Sequence, residues 1–200
     1  MIFRLVADSS ANIYTLPDAA FTCVPMKIIT TEAEYVDDPQ LDVGQMVAQL
    51  KTTKGKSGSS CPNMHDWLQA FDGADRIFAI TITSNLSGSY NSAVDAMHLF
   101  AENHPDKHCH IVDTLTAGPE QDLCVEKLQE LMLEGKSFED IRSEISEYIK
   151  STHLLFSLES LKNLANNGRT SQVVAAMAGI LGIRLVGKAS DHGTLEPMHK

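Results

Sequence analysis

Apolar and polar positions switch between two periods along the chain, and the switches mark its elements. Residues 2–7 (IFRLVA) form an apolar run that stops at Asp8-Ser9-Ser10, the pattern of a short buried strand. Residues 23–30 (CVPMKIIT) read as a second strand. Val43, Met46, Val47 and Leu50 recur at helical spacing and predict a helix over 42–52. The segment TTKGKSGSSCPN that follows predicts a loop. Met64, Trp67, Leu68 and Phe71 then predict a helix over 64–71. The clearest strand is 76–82 (RIFAITI), which runs into Thr83-Ser84-Asn85-Leu86-Ser87-Gly88-Ser89. Leu86, Tyr90, Ala93, Val94, Met97 and Ala101 place the next helix from about residues 84–87 onward.

Residues 109–112 (CHIV) form a further strand, ended by Asp113-Thr114. Two helices follow over about 119–133 and 138–149, separated at Gly135. Ser137 with Asp140 resembles a capping box. A strand over 152–156 leads to a helix holding Leu158, Leu161 and Leu164 and closed by Gly168. An apolar helix over 171–181 comes next, and residues 184–197 read as a hairpin turning at Asp191-His192-Gly193. Strands alternating with helices over 1–150 predict an α/β layered domain with a mainly parallel sheet. The pattern changes after that point, so 151–200 are expected to form part of a second, apparently truncated α/β subdomain.

Composition narrows the function classes. Hydrophobic residues are 43% and charged residues 21% of the chain, ordinary for a globular protein. A formal net charge of −10 argues against general nucleic-acid binding and against docking on an anionic membrane. No segment approaches the ~20 apolar residues of a membrane span, and the first residues lack a signal peptide's apolar stretch. A cytoplasmic location without an integral membrane segment is therefore expected. Cys23, Cys61, Cys109 and Cys124 show no CxxC spacing and read as free buried thiols, with a zinc site or a disulfide framework as the lesser alternative.

Three strands end in hydroxyl-rich clusters: Asp8-Ser9-Ser10, residues 83–89, and Asp113-Thr114. The C-terminal strand ends of an open parallel sheet share one edge, and ligands bind there. A fourth group, residues 57–63, lies in a loop able to reach the same edge. The cluster at 83–89 sits between strand and helix, so the amides of Ser87, Gly88 and Ser89 are expected to be free at a helix start, where an anion is favoured. The plainer alternative is that Ser84 or Asn85 caps the helix. Residues 83–90 carry no basic side chain and one glycine, unlike most phosphate sites. The chemistry leans towards a monocarboxylate without naming it.

The segment ITITSNLSGSYNSA (residues 80–93) resembles the DegV-family signature around its LSGTY-like core. Ser59-Ser60-Cys61-Pro62 stands where that family usually carries Thr-Ser-x-Pro, LVADSSANI resembles its opening strand and turn, and SLESLKNLANNGRTS (residues 157–171) is similar to its helix ending in Gly-Arg. The ordered set covers essentially the whole chain. The resemblance implies a two-domain α/β carrier that clasps a long-chain fatty acid and presents it to a separate fatty acid kinase, with no cofactor and no catalysis of its own. It places Ser59, Ser87 and the Gly88 amide on the acyl carboxylate, with Ser60, Ser89 and Arg169 as further candidates. Family members usually run longer than this chain, so it is expected to end partway through the second domain. Apolar side chains of the helix after Ser87 and of residues 154–181 are the candidate tail-lining residues.

Three other readings compete. Ser87 as the nucleophile of a hydrolase acting on a small ester lacks a GxSxG elbow, although a base can come from elsewhere in the fold. A metal site built from His104, His108 and His110 competes with a polar surface turn. The third is an interaction domain with no small ligand.

Overall fold

Leu5, Val6 and Ala7, and Ile77, Phe78, Ala79 and Ile80, are fully buried, so both faces of these two strands are covered. The computed structural model describes residues 2–53, 55–158, 160–170 and 185–198. The first half of the chain runs β1 (Phe3–Asp8), β2 (Phe21–Val24), β3 (Lys27–Ile29), β4 (Glu34–Val36), α1 (Val43–Thr52), β5 (Gly58–Ser60), α2 (Met64–Phe71), β6 (Arg76–Thr81) and α3 (Ser89–Asn103). The second half runs β7 (His108–Asp113), α4 (Pro119–Leu133), α5 (Phe138–Tyr148), β8 (Leu155–Leu158), α6 (Lys162–Asn166), β9 (Leu185–Ala189) and β10 (Leu195–Pro197).

The central sheet has the order β2-β1-β6-β7, all parallel. Its alternating side chains feed two cores. Leu5, Ala7, Phe78, Ile80 and Val112 pack against Val125, Leu128 and Leu131 of α4 and Ile141 and Ile145 of α5. Val6, Ile77, Ala79 and Ile111 pack against Trp67 and Phe71 of α2 and Ala93, Ala96 and Phe100 of α3. The predicted layered α/β architecture is therefore present, with helices on both faces of a parallel sheet.

The expected strand over 23–30 is broken in two. Pro25 has no N–H for a ladder, and the next amide, that of Met26, donates instead to Ser9 Oγ at 3.0 Å. Beyond this break β3 leaves the parallel sheet and pairs antiparallel with β4 on one side and β5 on the other. The segment predicted as a loop thus contains a strand, in the register Ile28↔Ser59. Its glycine and serines have poor strand propensity, and the free edge of β3 overrides it. The helix predicted from residues 84–87 starts later, at Ser89, after a turn.

The later part of the chain forms a third sheet, β10-β9-β8, entirely antiparallel. The strand predicted over 152–156 lies at Leu155–Leu158, where its partner β9 is. The hairpin turn at residues 191–193 is present. Gly193 adopts φ +76, and a side chain there would run into the Thr83 side chain, so both the turn and the close approach require glycine. The helix predicted over 171–181 falls outside the described residues. No helix among the described residues is long and apolar enough to cross a membrane.

His104, His108 and His110 each pack against a phenylalanine ring: Phe100, Phe138 and Phe78 respectively. Among the described residues, no group of three or more His, Cys, Asp or Glu side chains is placed to hold a metal ion. Burial, helped by nearby Arg142, holds the His110 imidazole below its ordinary value of 6.5. The folded chain therefore resists protonation that the unfolded chain accepts, and stability declines as the pH drops below about 6.5. Between about pH 7 and about pH 5.5 the urea midpoint is expected to fall further in the wild type than in His110→Gln. Equal falls in the two proteins would place the acid sensitivity elsewhere.

Candidate functional site

The strand-end clusters converge on one buried carboxylate. Asp8, at the end of β1, accepts from Ser10 Oγ (2.5 Å) and Gln121 Nε2 (3.0 Å) on one oxygen. Its other oxygen accepts from the Ile82 amide (3.0 Å) and from Ser89 Oγ (2.6 Å). The side chain is fully buried, and these four donors replace the water it has lost. Asp113, at the end of β7, takes the Ser84 amide at 3.1 Å. The loop from β6 to α3 is thus held from both neighbouring strands.

This anchoring decides which donors of the loop remain open. The Ser87 amide is spent on Thr83 O at 3.3 Å, and the Ser89 amide on Ser87 Oγ at 3.2 Å. Of the three amides expected to be free, only that of Gly88 has no acceptor among the described residues. No side chain caps α3, so Ser84 and Asn85 do not serve as its caps; the Asn85 amide group instead donates to His192 O. Ser87 Oγ accepts from the Ser89 amide, which leaves its own proton available to a ligand. Ser89, a candidate ligand in the sequence, is fully buried and donates to Asp8, so it orients the loop from behind.

Ser59 and Ser87 line one cavity of about 360 Å³. Its apolar wall is Met26, Ile28, Leu50, Ile82, Leu86 and Leu164. Its polar wall adds Ser57, Asn163, Asn167 and Arg169. Ser59 is exposed on β5, opposite Ile28 in the ladder, and its hydroxyl has no partner among the described residues. Arg169 Nε donates to Leu86 O at 2.7 Å and Nη1 to Asn167 O at 2.8 Å, so the guanidinium both secures the loop and faces the cavity. Ser60 is not part of this lining, and its hydroxyl turns to Cys61 O at 3.3 Å. Gly88 follows the lining residue Ser87 and is not itself among the described lining residues; a side chain on it would come within 3.3 Å of Cys61 Sγ.

Among the described residues, no acidic side chain lines this cavity, although the chain carries a net charge of −10. Hydroxyls, amides and one guanidinium face apolar walls, an arrangement suited to a small anion joined to a hydrocarbon. Ser57 belongs to the 57–63 group expected to reach this edge, whereas Asn163 and Asn167 were not legible as site residues; Asn167 stands beside the Gly-Arg pair, the one signal that pointed to it. A second cavity, of about 420 Å³, mixes Glu120 and Asp191 with Lys150 and His153 and lacks this one-sided charge. None of the hydrogen bonds among the described residues joins Ser87 to an imidazole.

The sequence model of the DegV family, described as uncharacterised proteins, matches residues 3–200. The chain belongs to the DegV family. A DegV domain-containing protein of Streptococcus pneumoniae is 44% identical over 204 residues, covering all of this chain and 73% of that protein. Among solved structures, a DegV family protein from Eubacterium eligens loaded with heptadecanoic acid matches with TM-score 0.95 and 45% identity, over 98% of this chain and 71% of that one. The Streptococcus pneumoniae Fatty Acid Kinase (Fak) B3 protein, loaded with linoleic acid, matches with TM-score 0.96 and 44% identity, over all of this chain and 73% of that one. In this DegV chain, Asp8→Asn turns a donor group towards donors that need an acceptor. It is expected to lower unfolding stability by about 1.5–3 kcal/mol for each charge-assisted bond lost, read from urea titration; a loss below about 0.5 kcal/mol would show that the network does not hold the loop.

Proposed function

We propose that this chain binds one long-chain fatty acid and presents its carboxylate to a separate fatty acid kinase in the cytoplasm. The carboxylate accepts hydrogen bonds from Ser59 Oγ, Ser87 Oγ and the Gly88 amide. Arg169 adds positive charge at the rim. The methylenes next to the head group lie along Ile28, Ile82, Leu86 and Leu164. Residues 1–150 supply the serine donors, and residues 151–200, as part of a second domain, supply Arg169 and the covering wall. The chain itself performs no phosphoryl transfer in this reading.

The observation that carries the proposal is the shared cavity. Two serines 28 residues apart, on β5 and before α3, meet there with apolar walls and, among the described residues, no carboxylate. Relatives with more than 40% identity were solved with heptadecanoic acid and with linoleic acid, and one of them is a Fatty Acid Kinase B3 protein. The energetics suit a carrier. Each buried methylene contributes about 0.8 kcal/mol, and each hydrogen bond to the charged head about 1.5–3 kcal/mol. The tail therefore dominates affinity, and the head-group donors set its orientation.

Organic extraction of the purified chain followed by mass spectrometry is expected to release a fatty acid near one equivalent. Ser87→Ala is expected to reduce fatty-acid affinity roughly tenfold, with Ser59→Ala similar or milder, the loss of one charge-assisted hydrogen bond each. Undiminished lipid occupancy in both variants would falsify the carboxylate clasp. Stoichiometric labelling of Ser87 by a fluorophosphonate would instead favour the hydrolase.

A further inference from the structure

The cavity of about 420 Å³ shares no lining residue with the Ser59–Ser87 cleft. Its walls come from the loop after β7 with the start of α4, from the segment between α5 and β8, and from the end of β9 with its hairpin turn. Thr83 ties the first of these to the third. Its amide donates to Thr116 O at 2.8 Å, and its hydroxyl donates to Gly193 O at 3.0 Å. The cavity is therefore shaped before any ligand arrives. Glu120, in the first turn of α4, lines it and is only 6% exposed. One Glu120 oxygen accepts from Thr116 Oγ1 at 2.5 Å. The other has no partner among the described residues and is not sealed from solvent, so its lone pairs open onto the cavity. A carboxylate buried this far ordinarily has its acceptors filled.

The hydroxyls around Glu120 add acceptors rather than donors. Thr114 gives its proton to Thr81 O (2.8 Å), and Thr152 gives its own to Ile149 O (3.1 Å). Ser190 Oγ takes the amides of His192 and Thr194 and shares a proton with Thr194 Oγ1 at 2.7 Å. Lys150 also lines the cavity, but its ammonium is bound to Glu147 at 2.6 Å. Asp191 and His153 are exposed at the rim. The apolar wall is Leu115, Ile149, Leu154 and Ala189. We propose that this cavity binds a small organic primary amine as its ammonium ion. An ammonium offers three donors and no acceptor, the complement of this lining. The open oxygen of Glu120 takes one charge-assisted bond, the Thr114 and Thr152 oxygens accept the remaining protons, and the hydrocarbon body lies along Leu115, Ile149 and Leu154. Asp191 and the net charge of −10 favour the approach of a cation. A bound anion would face Glu120, and an alcohol would leave its charge unanswered. The site does not depend on the fatty-acid reading.

The test titrates phenethylammonium, with phenethyl alcohol as its neutral twin, into the 200-residue chain and follows backbone amide shifts by NMR. The ammonium is expected to bind roughly tenfold more tightly than the alcohol and to shift the amides of Leu115, Ala189 and Asp191 while leaving those of Ser59 and Ser87 in place. Glu120→Gln keeps an acceptor for Thr116 and is expected to erase the tenfold preference. No saturation by the ammonium up to about 10 mM, equal binding of amine and alcohol, shifts confined to Ser59 and Ser87, or an undiminished preference in Glu120→Gln would each overturn the site. The urea midpoint checks that Glu120→Gln is folded. If it is not, Asp191→Asn at the exposed rim decides: amine affinity lowered about twofold or more with alcohol affinity unchanged supports the site, and an unchanged amine affinity overturns it.

Discussion

A buried carboxylate in a protein interior is tolerable only when its lone pairs are filled, and Asp8 fills them with donors from four places in the chain. Those donors come from the turn after β1, the end of β6, the start of α3 and the first turn of α4. The Asp8 side chain therefore sets where the strand-end loops stand relative to one another. It also decides which groups point outward. Because Ser89 Oγ is bound to Asp8 and the Ser89 amide to Ser87 Oγ, the Ser87 proton and the Gly88 amide are left for a ligand.

The same arrangement explains how an acidic chain can hold an anion. Asp8 and Asp113 lie behind the loop, satisfied by its amides and hydroxyls. Among the described residues, the cleft in front receives only neutral donors and Arg169. Negative charge thus orders the donors from behind the loop. A carboxylate needs few donors and little counter-charge, which a phosphate monoanion or dianion would not accept as readily.

Much of this was readable from residue order. The parallel core followed from the apolar runs at 2–7, 76–82 and 109–112, and the convergence of their polar ends followed from the topology of such sheets. The pairing of Ser59 with Ser87 came from motif resemblance, and the shared cavity places both residues together. What the residue pattern hid depends on tertiary pairing. β5 consists of Gly58, Ser59 and Ser60, poor strand formers that are ordered by the free edge of β3. The burial of Ser89 was equally hidden, because a serine at a helix start gives no local sign of a distant Asp8. Asn163 and Asn167 escaped for a similar reason: they reach the cleft from a short helix and its end, whose placement no periodicity encodes.

The turn at Gly193 touches the donor loop directly: Thr83 Oγ1 donates to Gly193 O at 3.0 Å across 110 residues of sequence. Thr83 is also the acceptor for the amides of Leu86 and Ser87. The distal hairpin is accordingly a brace on the bend that carries Ser87. Displacing that brace, by a bulky residue at its tip or by pulling the antiparallel sheet away, would disturb the bend even though the hairpin tip contributes nothing to the cleft's lining.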